Sequence, residues 1–249
     1  MLVAAKTHVG LVRQLNEDSY AVVAHQQPHG VAVVADGMGG HLAGEVASAL
    51  AVEAVLKRLT ENTESEPLEP QDSLVAAIKD ANQAVHERAL SQQGLNGMGT
   101  TLIVTLFDQE QIHLGHIGDS RAYLLQSGDL RQVTDDHTLV NELYKNGQIT
   151  LDEAMNHPQR NIVTRAVGTD ERVQPDLLQL EWNEGDILMI CSDGLTNMVE
   201  ERLLSDILRA EVPLSAKVDV LIEKAIVSGG HDNITVVLVQ NQAERGDAT

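Results

Sequence analysis

Apolar segments of strand length, several of them bounded by an aspartate, limit what this chain can fold into more than any other feature of its sequence. Residues 20–25 and 31–35 form one pair, and Pro28 and Gly30 between them are typical of a hairpin turn. Further segments follow at 100–107, 111–117, 121–126, 130–133, 177–182, 186–191 and 234–240. Because short turns join most of the central segments, the pattern predicts sheets that are mainly antiparallel.

Helical periodicity alternates with these strands. Apolar residues recur three and four positions apart over residues 47–55 and 74–85, and helical patterns also cover 137–145, 200–210 and 214–227. Antiparallel strands with paired helices favour an α+β architecture, in which helices cover sheets, over a doubly wound parallel sheet. No internal repeat is visible, so we expect one domain over residues 1–242 and a polar tail at 243–249.

The charge and the cysteine content exclude several classes of function. The formal net charge of −20 repels nucleic acid and anionic lipid, so cations are the expected partners. The single cysteine, Cys191, excludes an internal disulfide and a multi-cysteine zinc site, and its apolar surroundings favour a core position. No segment reaches the roughly 18 apolar residues of a membrane span, and no secretory signal is visible. We therefore expect a cytoplasmic monomer that does not insert into a membrane.

Five aspartates lie at the ends of the apolar segments. Asp36, Asp119 and Asp193 follow predicted strands, and Asp232 precedes the last one. Asp18 precedes the first strand of the hairpin, whose second strand ends at Asp36. Because antiparallel pairing places the start of one strand beside the end of the other, Asp18 and Asp36 should be neighbours. If the remaining strands are also antiparallel, the other aspartates can converge on the same edge.

Such a cluster of carboxylates predicts bound cations. Carboxylates within a few ångströms of one another raise each other's pKa, so the cluster needs protons or cations to persist at neutral pH. Oxygen ligands without histidine or cysteine suit Mg²⁺ or Mn²⁺. Glycine directly follows Asp36 and Asp193, which leaves the backbone free to bend so that a carbonyl can face an ion. Either Asp-Gly pair alone is also an ordinary turn signal, and only the combination with Asp119 and Asp232 favours a metal site.

Six motifs are spread over nearly the whole chain. They are RQLNED at 13–18, VADGMGGH at 34–41, MGTT at 98–101, HIGDSR at 116–121, SDGLT at 192–196 and HDNIT at 231–235. Together they resemble the protein phosphatase 2C (PPM) family of metal-dependent Ser/Thr phosphatases. Methionine at 38 and DDHTLVNEL at 135–143 are similar to the short bacterial members that reverse transmembrane Ser/Thr kinases. The resemblance implies two central antiparallel sheets between pairs of helices, a four-layer α-β-β-α sandwich, with the site at one end of the sheets.

The resemblance assigns most of the aspartates to divalent cations. It implies that Asp36 bridges two ions and that the carbonyl of Gly37 binds the second. Asp193 and Asp232 would hold the first ion, and Asp119, together with Asp193, would hold a third and weaker one. The implied cofactors are two Mn²⁺ or Mg²⁺ ions and this third ion.

The resemblance also implies roles for Asp18 and Arg13. Asp18 would act mainly through metal-bound waters, and Arg13 would bind the substrate phosphate with its forked guanidinium. Two cations about 3.5 to 4 Å apart can share a water and present it as hydroxide to the phosphorus. The implied function is hydrolysis of phosphoserine and phosphothreonine in proteins by this metal-bridging hydroxide. The expected partners are phosphorylated proteins, including an opposing Ser/Thr kinase and its substrates.

The proton donor for the leaving seryl or threonyl oxygen is left open. Many family members have histidine where this chain has Met38, and a thioether cannot donate a proton. Either His41 or a water on the third cation can take this role. His41 opens a predicted helix, so a purely structural role is an equally good interpretation.

The polar, poorly periodic region at about 145–169 is interpreted as a flap. Lys145, Arg160 and Arg165 are candidates for contacts with acidic flanks of a phosphopeptide. The alternative is a charged loop that is simply solvated.

Other functions fit the sequence less well. GMGG at 37–40 lies between a strand and a helix, but its spacing matches neither the dinucleotide-binding nor the phosphate-loop pattern. A catalytically weak relative that only binds phosphoproteins or a kinase would be expected to lack a metal ligand, and every matched position is present. A specialised regulator acting on an anti-sigma antagonist remains an alternative within the family.

Overall fold

Two antiparallel sheets and the helices outside them make up the structure, a computed structural model that describes residues 1–24, 29–39, 42–60 and 69–242. His41 and the expected tail at 243–249 lie outside the described residues. The strands are β1 (Leu2–His8), β2 (Asp18–Val23), β3 (Gly30–Met38), β4 (Gly99–Thr100), β5 (Leu102–Phe107), β6 (Gln111–Ile117), β7 (Arg121–Gln126), β8 (Asp129–Gln132), β9 (Asp176–Glu181), β10 (Ile187–Cys191) and β11 (Ile234–Gln240).

The helices differ widely in length. They are α1 (Ala43–Thr60), α2 (Pro70–Ser91), α3 (Leu139–Lys145), α4 (Leu151–Met155), α5 (Asp193–Thr196), α6 (Glu201–Arg209) and α7 (Leu214–Val227). Among the described residues, no helix combines the length and the apolar character needed to cross a membrane.

The first sheet has the strand order β1-β11-β10-β7-β8, and all its neighbouring strands are antiparallel. Its inner strands β10 and β11 consist largely of Ile, Val and Leu, and every residue of β10 is buried. A strand that is covered on both faces needs apolar side chains in both directions. This is why these two strands read as continuous apolar runs in the sequence.

The second sheet has the order β2-β3-β5-β6-β9, again with antiparallel neighbours. The short strand β4 pairs with the far end of β3, where Gly37 lies opposite Thr100 and Met38 opposite Gly99. This pairing extends β3 beyond the segment predicted at 31–35. Asp36 therefore lies inside a strand and not after one.

Three apolar clusters separate four layers. The first lies between α1, α2 and the second sheet and includes Val33 and Ile78. The second lies between the two sheets and includes Ile103 and Val237. The third lies between the first sheet and the helices α6 and α7 and includes Leu221. The structure thus confirms the predicted α+β sandwich of two antiparallel sheets between pairs of helices.

Three short or irregular elements were not predicted. The edge strand β1 has exposed Leu2 and Val3 and carries polar Lys6 and Thr7, so its sequence shows no clean alternation. The helix α4 lies within the region interpreted as a flap, and α5 begins directly at Asp193. Helices of four or five residues are too short for a periodic apolar pattern to indicate them.

Ile78→Ala tests the packing of α2 on the second sheet. Ile78 is fully buried, and a Cβ at Gly115 of β6 would lie 2.5 Å from Ile78 Cδ1. Truncation of such a core side chain costs about 2 to 5 kcal/mol, so we expect the free energy of unfolding in urea to fall by that amount. Val75→Ala on the same helix is the control, since Val75 is 40% exposed and its loss should stay near about 0.5 kcal/mol. Equal losses at both positions would contradict this packing.

Candidate active site

The pairing of β2 with β3 places Asp18 beside Asp36 at one end of the second sheet. In the register of these strands, Asp18 and Asp36 are direct partners, which confirms the relation predicted from the sequence. Because both residues belong to strands, their spacing is set by backbone hydrogen bonding and not by a loop.

The first sheet supplies Asp193 and Asp232 to the same end of the molecule. β10 and β11 are antiparallel neighbours, so residues just after β10 and just before β11 lie together. Ser192 N donates a hydrogen bond to Thr235 O at 3.1 Å, which continues this pairing up to the site. Asp119 joins from the loop that follows β6 in the second sheet.

Burial and mutual repulsion dominate the electrostatics of these aspartates. Burial raises the pKa of Asp36 well above its ordinary value. Four neighbouring carboxylates raise it further, namely those of Asp18, Asp193, Asp119 and Asp232. Burial likewise raises the pKa of Asp18 and that of Asp119 to about 7. Since the groups influence one another, the five aspartates form one cluster.

Asp18 has one oxygen with partners and one without. Ser192 Oγ and Thr235 Oγ1 each donate a hydrogen bond of 2.7 Å to Asp18 Oδ2. Asp18 Oδ1 is buried and has no hydrogen-bond partner in the part of the chain that the structure describes. An unsatisfied buried oxygen is costly, so this atom is suited to a cation or to a water held by one.

The donor set of the cluster fits Mg²⁺ or Mn²⁺. All five aspartates offer hard oxygen ligands, and burial together with neighbouring carboxylates raises the pKa values of Asp18, Asp36, Asp119 and Asp193. Within the described ranges, no group of three or more His, Cys, Asp or Glu side chains is arranged as direct ligands of a single ion. Mg²⁺ commonly keeps several waters and takes one or two carboxylates. Waters can therefore complete the coordination of ions held by this cluster.

Two glycines of the motifs are required for different reasons. A Cβ at Gly37 would lie 2.0 Å from the carbonyl oxygen of Gly44, because α1 packs directly against β3. The freedom to bend that the sequence suggested after Asp36 is not used, since β3 continues through Gly37 to Met38. Gly118 has a φ of 108°, a conformation that favours glycine, and it turns the chain at the end of β6.

Arg13 lies at the edge of the cluster and is paired with it. Arg13 Nη2 donates a hydrogen bond of 2.8 Å to Asp232 Oδ2, and Arg13 Nη1 lies 3.9 Å from Glu17 Oε2. The Arg13 side chain is 48% exposed. The guanidinium is therefore accessible to a ligand that approaches the carboxylates from solvent.

Asn233, for which no role was predicted, fixes the Arg13 loop, defined here as residues 9–17. Asn233 Nδ2 donates to Val9 O and to Leu15 O, both at 2.9 Å. Asn233 Oδ1 accepts from Glu17 N at 2.7 Å. Because Asn233 is buried and follows Asp232 directly, one side-chain amide joins the Arg13 loop to a residue of the cluster. The only signal in the sequence was its place in the motif at 231–235.

A partly buried ion pair without a predicted role supports the Asp119 side of the site. Arg121 Nε and Nη2 donate hydrogen bonds to both carboxylate oxygens of Asp136, with the shortest at 2.6 Å. This forked geometry fixes both side chains. Arg121 begins β7, two residues after Asp119, so the pair holds the chain on that side of the loop.

His137 connects the Asp119 loop with the flap. His137 Nδ1 accepts a hydrogen bond of 3.0 Å from Gly118 N, so the proton of the neutral ring lies on Nε2, which faces Asp176 Oδ2 at 3.1 Å. Burial lowers the pKa of His137 and favours this neutral form. Arg165 Nη1 donates to Asp176 Oδ1 at 2.7 Å. The backbone turn before Asp119 is thus held by side chains that reach the flap.

An open cavity of about 590 Å³, here called the flap cleft, runs from the cluster to the flap. Asp119 and Asp193 line one end of it, and Arg160 lies in its wall. The other two cations proposed for peptide contacts pair with acids of the protein itself. Lys145 Nζ lies 2.8 Å from Asp135 Oδ2, and Arg165 pairs with Asp176.

Two further residues bear on proton and nucleophile chemistry. Cys191 is fully buried, and burial raises its pKa to about 12, which confirms that it is a core residue. Met38 ends β3 opposite Gly99 and offers no proton. The alternative donor His41 lies outside the described residues, so its role stays a prediction.

Comparison with known proteins agrees with the geometry. A family model for protein phosphatase 2C matches residues 8–244. The serine/threonine phosphatase stp of Listeria welshimeri is 43% identical over 243 residues, which cover 97% of this chain and 96% of the relative. The crystal structure of the Mycobacterium tuberculosis serine/threonine phosphatase PstP/Ppp has a TM-score of 0.86 and 39% identity, covering 97% of this chain and 99% of that chain.

A second structure, of the PstP catalytic domain in complex with 2 manganese ions, has a TM-score of 0.82 and 39% identity and covers 96% of this chain and 97% of that chain. The family match at residues 8–244 spans the positions of all five aspartates. The chain belongs to the protein phosphatase 2C family.

Proposed function

We propose that this protein hydrolyses phosphoserine and phosphothreonine in proteins with the help of bound divalent cations. The observation that carries the proposal is the cluster of five aspartates, four of them with raised pKa values, beside an accessible arginine. The names of the relatives and the 2 manganese ions in the PstP complex support it. Cys191 is excluded as a nucleophile by its burial, and the carboxylates are suited to holding cations.

The cations would be held by oxygen atoms of the cluster. We assign them to Asp36, the carbonyl of Gly37, Asp119, Asp193 and Asp232, with Asp18 acting through water. Two Mn²⁺ or Mg²⁺ ions would occupy the core of the cluster, and a third, weaker one would lie between Asp119 and Asp193. Bound cations would supply the positive charge that lowers the pKa of an attacking water and stabilises the phosphoryl group.

Arg13 would bind the phosphoryl group. Its fork suits two phosphate oxygens and the charge that develops on them in a loose transition state. To do so, Arg13 would exchange its contact with Asp232 for the phosphate, which frees Asp232 Oδ2 for a cation. Asn233 would hold the backbone of the Arg13 loop in place during this exchange.

The cellular setting is part of the proposal. The protein would act as a monomer in the cytoplasm on phosphoproteins, including a Ser/Thr kinase and the substrates of that kinase. The net charge of −20 supports protein substrates over nucleic acids.

Removal of divalent ions should abolish activity. We expect hydrolysis of p-nitrophenyl phosphate and of a phosphothreonine peptide with Mn²⁺, no hydrolysis in EDTA, and recovery when Mn²⁺ is restored.

Asp36→Asn should lower kcat/KM by more than about 100-fold. The loss of a metal ligand is expected to exceed the effect of losing a residue that only positions a ligand, which is about 10- to 100-fold. Full activity in a preparation stripped of divalent ions, or in Asp36→Asn, would refute the proposal.

The thermal stability in EDTA should fall as the pH rises from 6.5 to 8. The folded-state pKa values of Asp18, Asp36 and Asp119 are raised above those of the unfolded chain, so the folded state holds more protons and loses stability as these are released. Burial lowers the pKa values of His116 and His137, and histidines of the unfolded chain, with a pKa of about 6.5, release their last protons in the lower half of this range. These two rings therefore oppose the fall mainly below pH about 7.5, and the aspartates determine the slope above it.

Differential scanning calorimetry can check this dependence. Tm should fall over this pH range for the wild type and fall less for Asp36→Asn, while Mn²⁺ should raise Tm more at pH 8 than at pH 6.5. Asp206→Asn removes an equal charge from the exposed side of α6 and should keep the wild-type slope. A Tm that rises with pH in EDTA would contradict the assigned protonation.

A double-mutant cycle tests whether Asn233 acts through Arg13. Asn233→Ala removes three hydrogen bonds to the Arg13 loop, so we expect kcat/KM to fall about tenfold, mainly through KM, with a coupling to Arg13→Ala of about 1 kcal/mol. In the Arg13→Ala background, Asn233→Ala should therefore change kcat/KM little.

Asn241→Ala is the matched control for this cycle. Asn241 is equally buried, follows the other end of β11 and donates to Gln109 O at 2.9 Å. Its loss should lower the free energy of unfolding without changing KM. Additive effects of Arg13→Ala and Asn233→Ala would show that Asn233 does not position Arg13.

A further inference from the structure

The flap cleft combines one acidic end with an apolar wall. Its acidic end is formed by Asp119 and Asp193 of the proposed catalytic cluster. Away from the cluster, its lining includes Tyr144 of α3 and Leu151 and Met155 of α4. The cleft is therefore continuous with the place where the phosphoester would bind.

Three apolar residues of this wall are exposed to solvent. Tyr144 is 43% exposed, Leu151 57% and Met155 66%. Single exposed apolar residues need no explanation, but several in one concave surface are typical of a binding site. Their shared position in the cleft indicates that they are covered when a ligand is bound.

The wall is held in place by helix caps. Thr150 and Glu153 form a capping box at the start of α4, with Glu153 Oε2 accepting from Thr150 N at 2.8 Å. Thr138 caps α3, and Thr138 pairs with Val163 in an isolated β-bridge. The cleft is thus a largely preformed surface, which lowers the cost of ordering it on binding.

The charges of the cleft do not favour an acidic ligand. Lys145 and Arg165 are paired with Asp135 and Asp176 and so offer little free positive charge. Arg121 and Asp136, which also line the cleft, are paired with each other, and the two aspartates of the cluster would be occupied by cations. The remaining charged residues of the lining are Arg160 and Glu201, which are of opposite sign. An uncharged apolar side chain fits this environment better than the acidic flank expected from the sequence.

We propose that the flap cleft binds an apolar side chain of the phosphoprotein, close in sequence to the phosphorylated residue. This inference rests on the proposed function, because that function places the phosphoester at the cluster end of the cleft. An extended chain advances about 3.3 to 3.6 Å per residue, so a side chain within about three positions of the phosphorylated residue can enter the cleft. Tyr144, Leu151 and Met155 would determine this preference.

A series of phosphothreonine peptides tests this inference. Each peptide has alanine around the phosphothreonine and a single leucine, which is placed in turn at each position from −3 to +3 relative to the phosphothreonine. With Mn²⁺, we expect at one position a kcat/KM about tenfold higher for leucine than for alanine, in the range of discrimination by an apolar pocket. Aspartate or glutamate at that position should give no such gain. The ratio of the kcat/KM values of two peptides, measured on one enzyme preparation, does not depend on the fraction of enzyme that is folded.

The variants show whether the preference belongs to the cleft. Met155→Gln and Leu151→Gln, separately and together, should reduce the leucine-to-alanine ratio to about one, whereas Met155→Leu should retain it because the volume and polarity are similar. Leu90→Gln is the control, since Leu90 is 73% exposed on α2 and is not part of the cleft lining. It should keep the wild-type ratio.

The possible failures are distinguishable. Equal kcat/KM for leucine and alanine at every position, or a leucine preference that persists in the double variant, would overturn the cleft assignment while the phosphatase function stands. A preference for acidic residues that is lost in Arg160→Gln would also overturn it. Absence of hydrolysis of p-nitrophenyl phosphate and of every peptide would overturn the proposed function, and the cleft assignment with it.

Discussion

The crowding of five carboxylates at one end of the two sheets is the constraint on which the rest of the site depends. Burial and neighbouring charges raise the pKa of Asp36 well above its ordinary value, and burial raises those of Asp18 and Asp119 to about 7. A fold can hold such a cluster only if rigid elements fix it, because flexible loops would relax it by moving apart. Here Asp18 and Asp36 lie in paired strands, and Asp193 and Asp232 lie next to a second strand pair.

The structure also provides polar groups that hold the aspartates in position but leave most of their negative charge uncompensated. Hydroxyl groups of Ser192 and Thr235 satisfy one oxygen of Asp18, and the other has no hydrogen-bond partner among the residues that the structure describes. Arg13 contacts Asp232 from the solvent side, where it is able to turn toward a phosphate, while Asn233 fixes its backbone. Placing several carboxylates together lowers the stability of the fold, and such unfavourable arrangements are expected at functional sites. The packing of the surrounding structure compensates for their cost.

Much of this arrangement could be predicted from local patterns, and the rest could not. The neighbour relation of Asp18 and Asp36 followed from a hairpin, since its register depends on adjacent segments. β1 was missed because an edge strand tolerates polar residues, and the continuation of β3 through Asp36 was missed because it depends on pairing with the distant β4. Asn233 joins residues more than 200 positions away, and no local pattern marks such a contact.

By itself, the sequence determined the class of fold, the burial of Cys191 and the set of aspartates, because hydrophobic periodicity and strand boundaries are properties of neighbouring residues. Only the tertiary structure decided which groups these aspartates face. It also decided that Lys145 and Arg165 are paired with acids of the protein, and that the flap presents apolar side chains to a cleft. The physical reason is that ion pairs and cavities depend on distances between segments far apart in the chain, which only the packing of the two sheets and the flap sets.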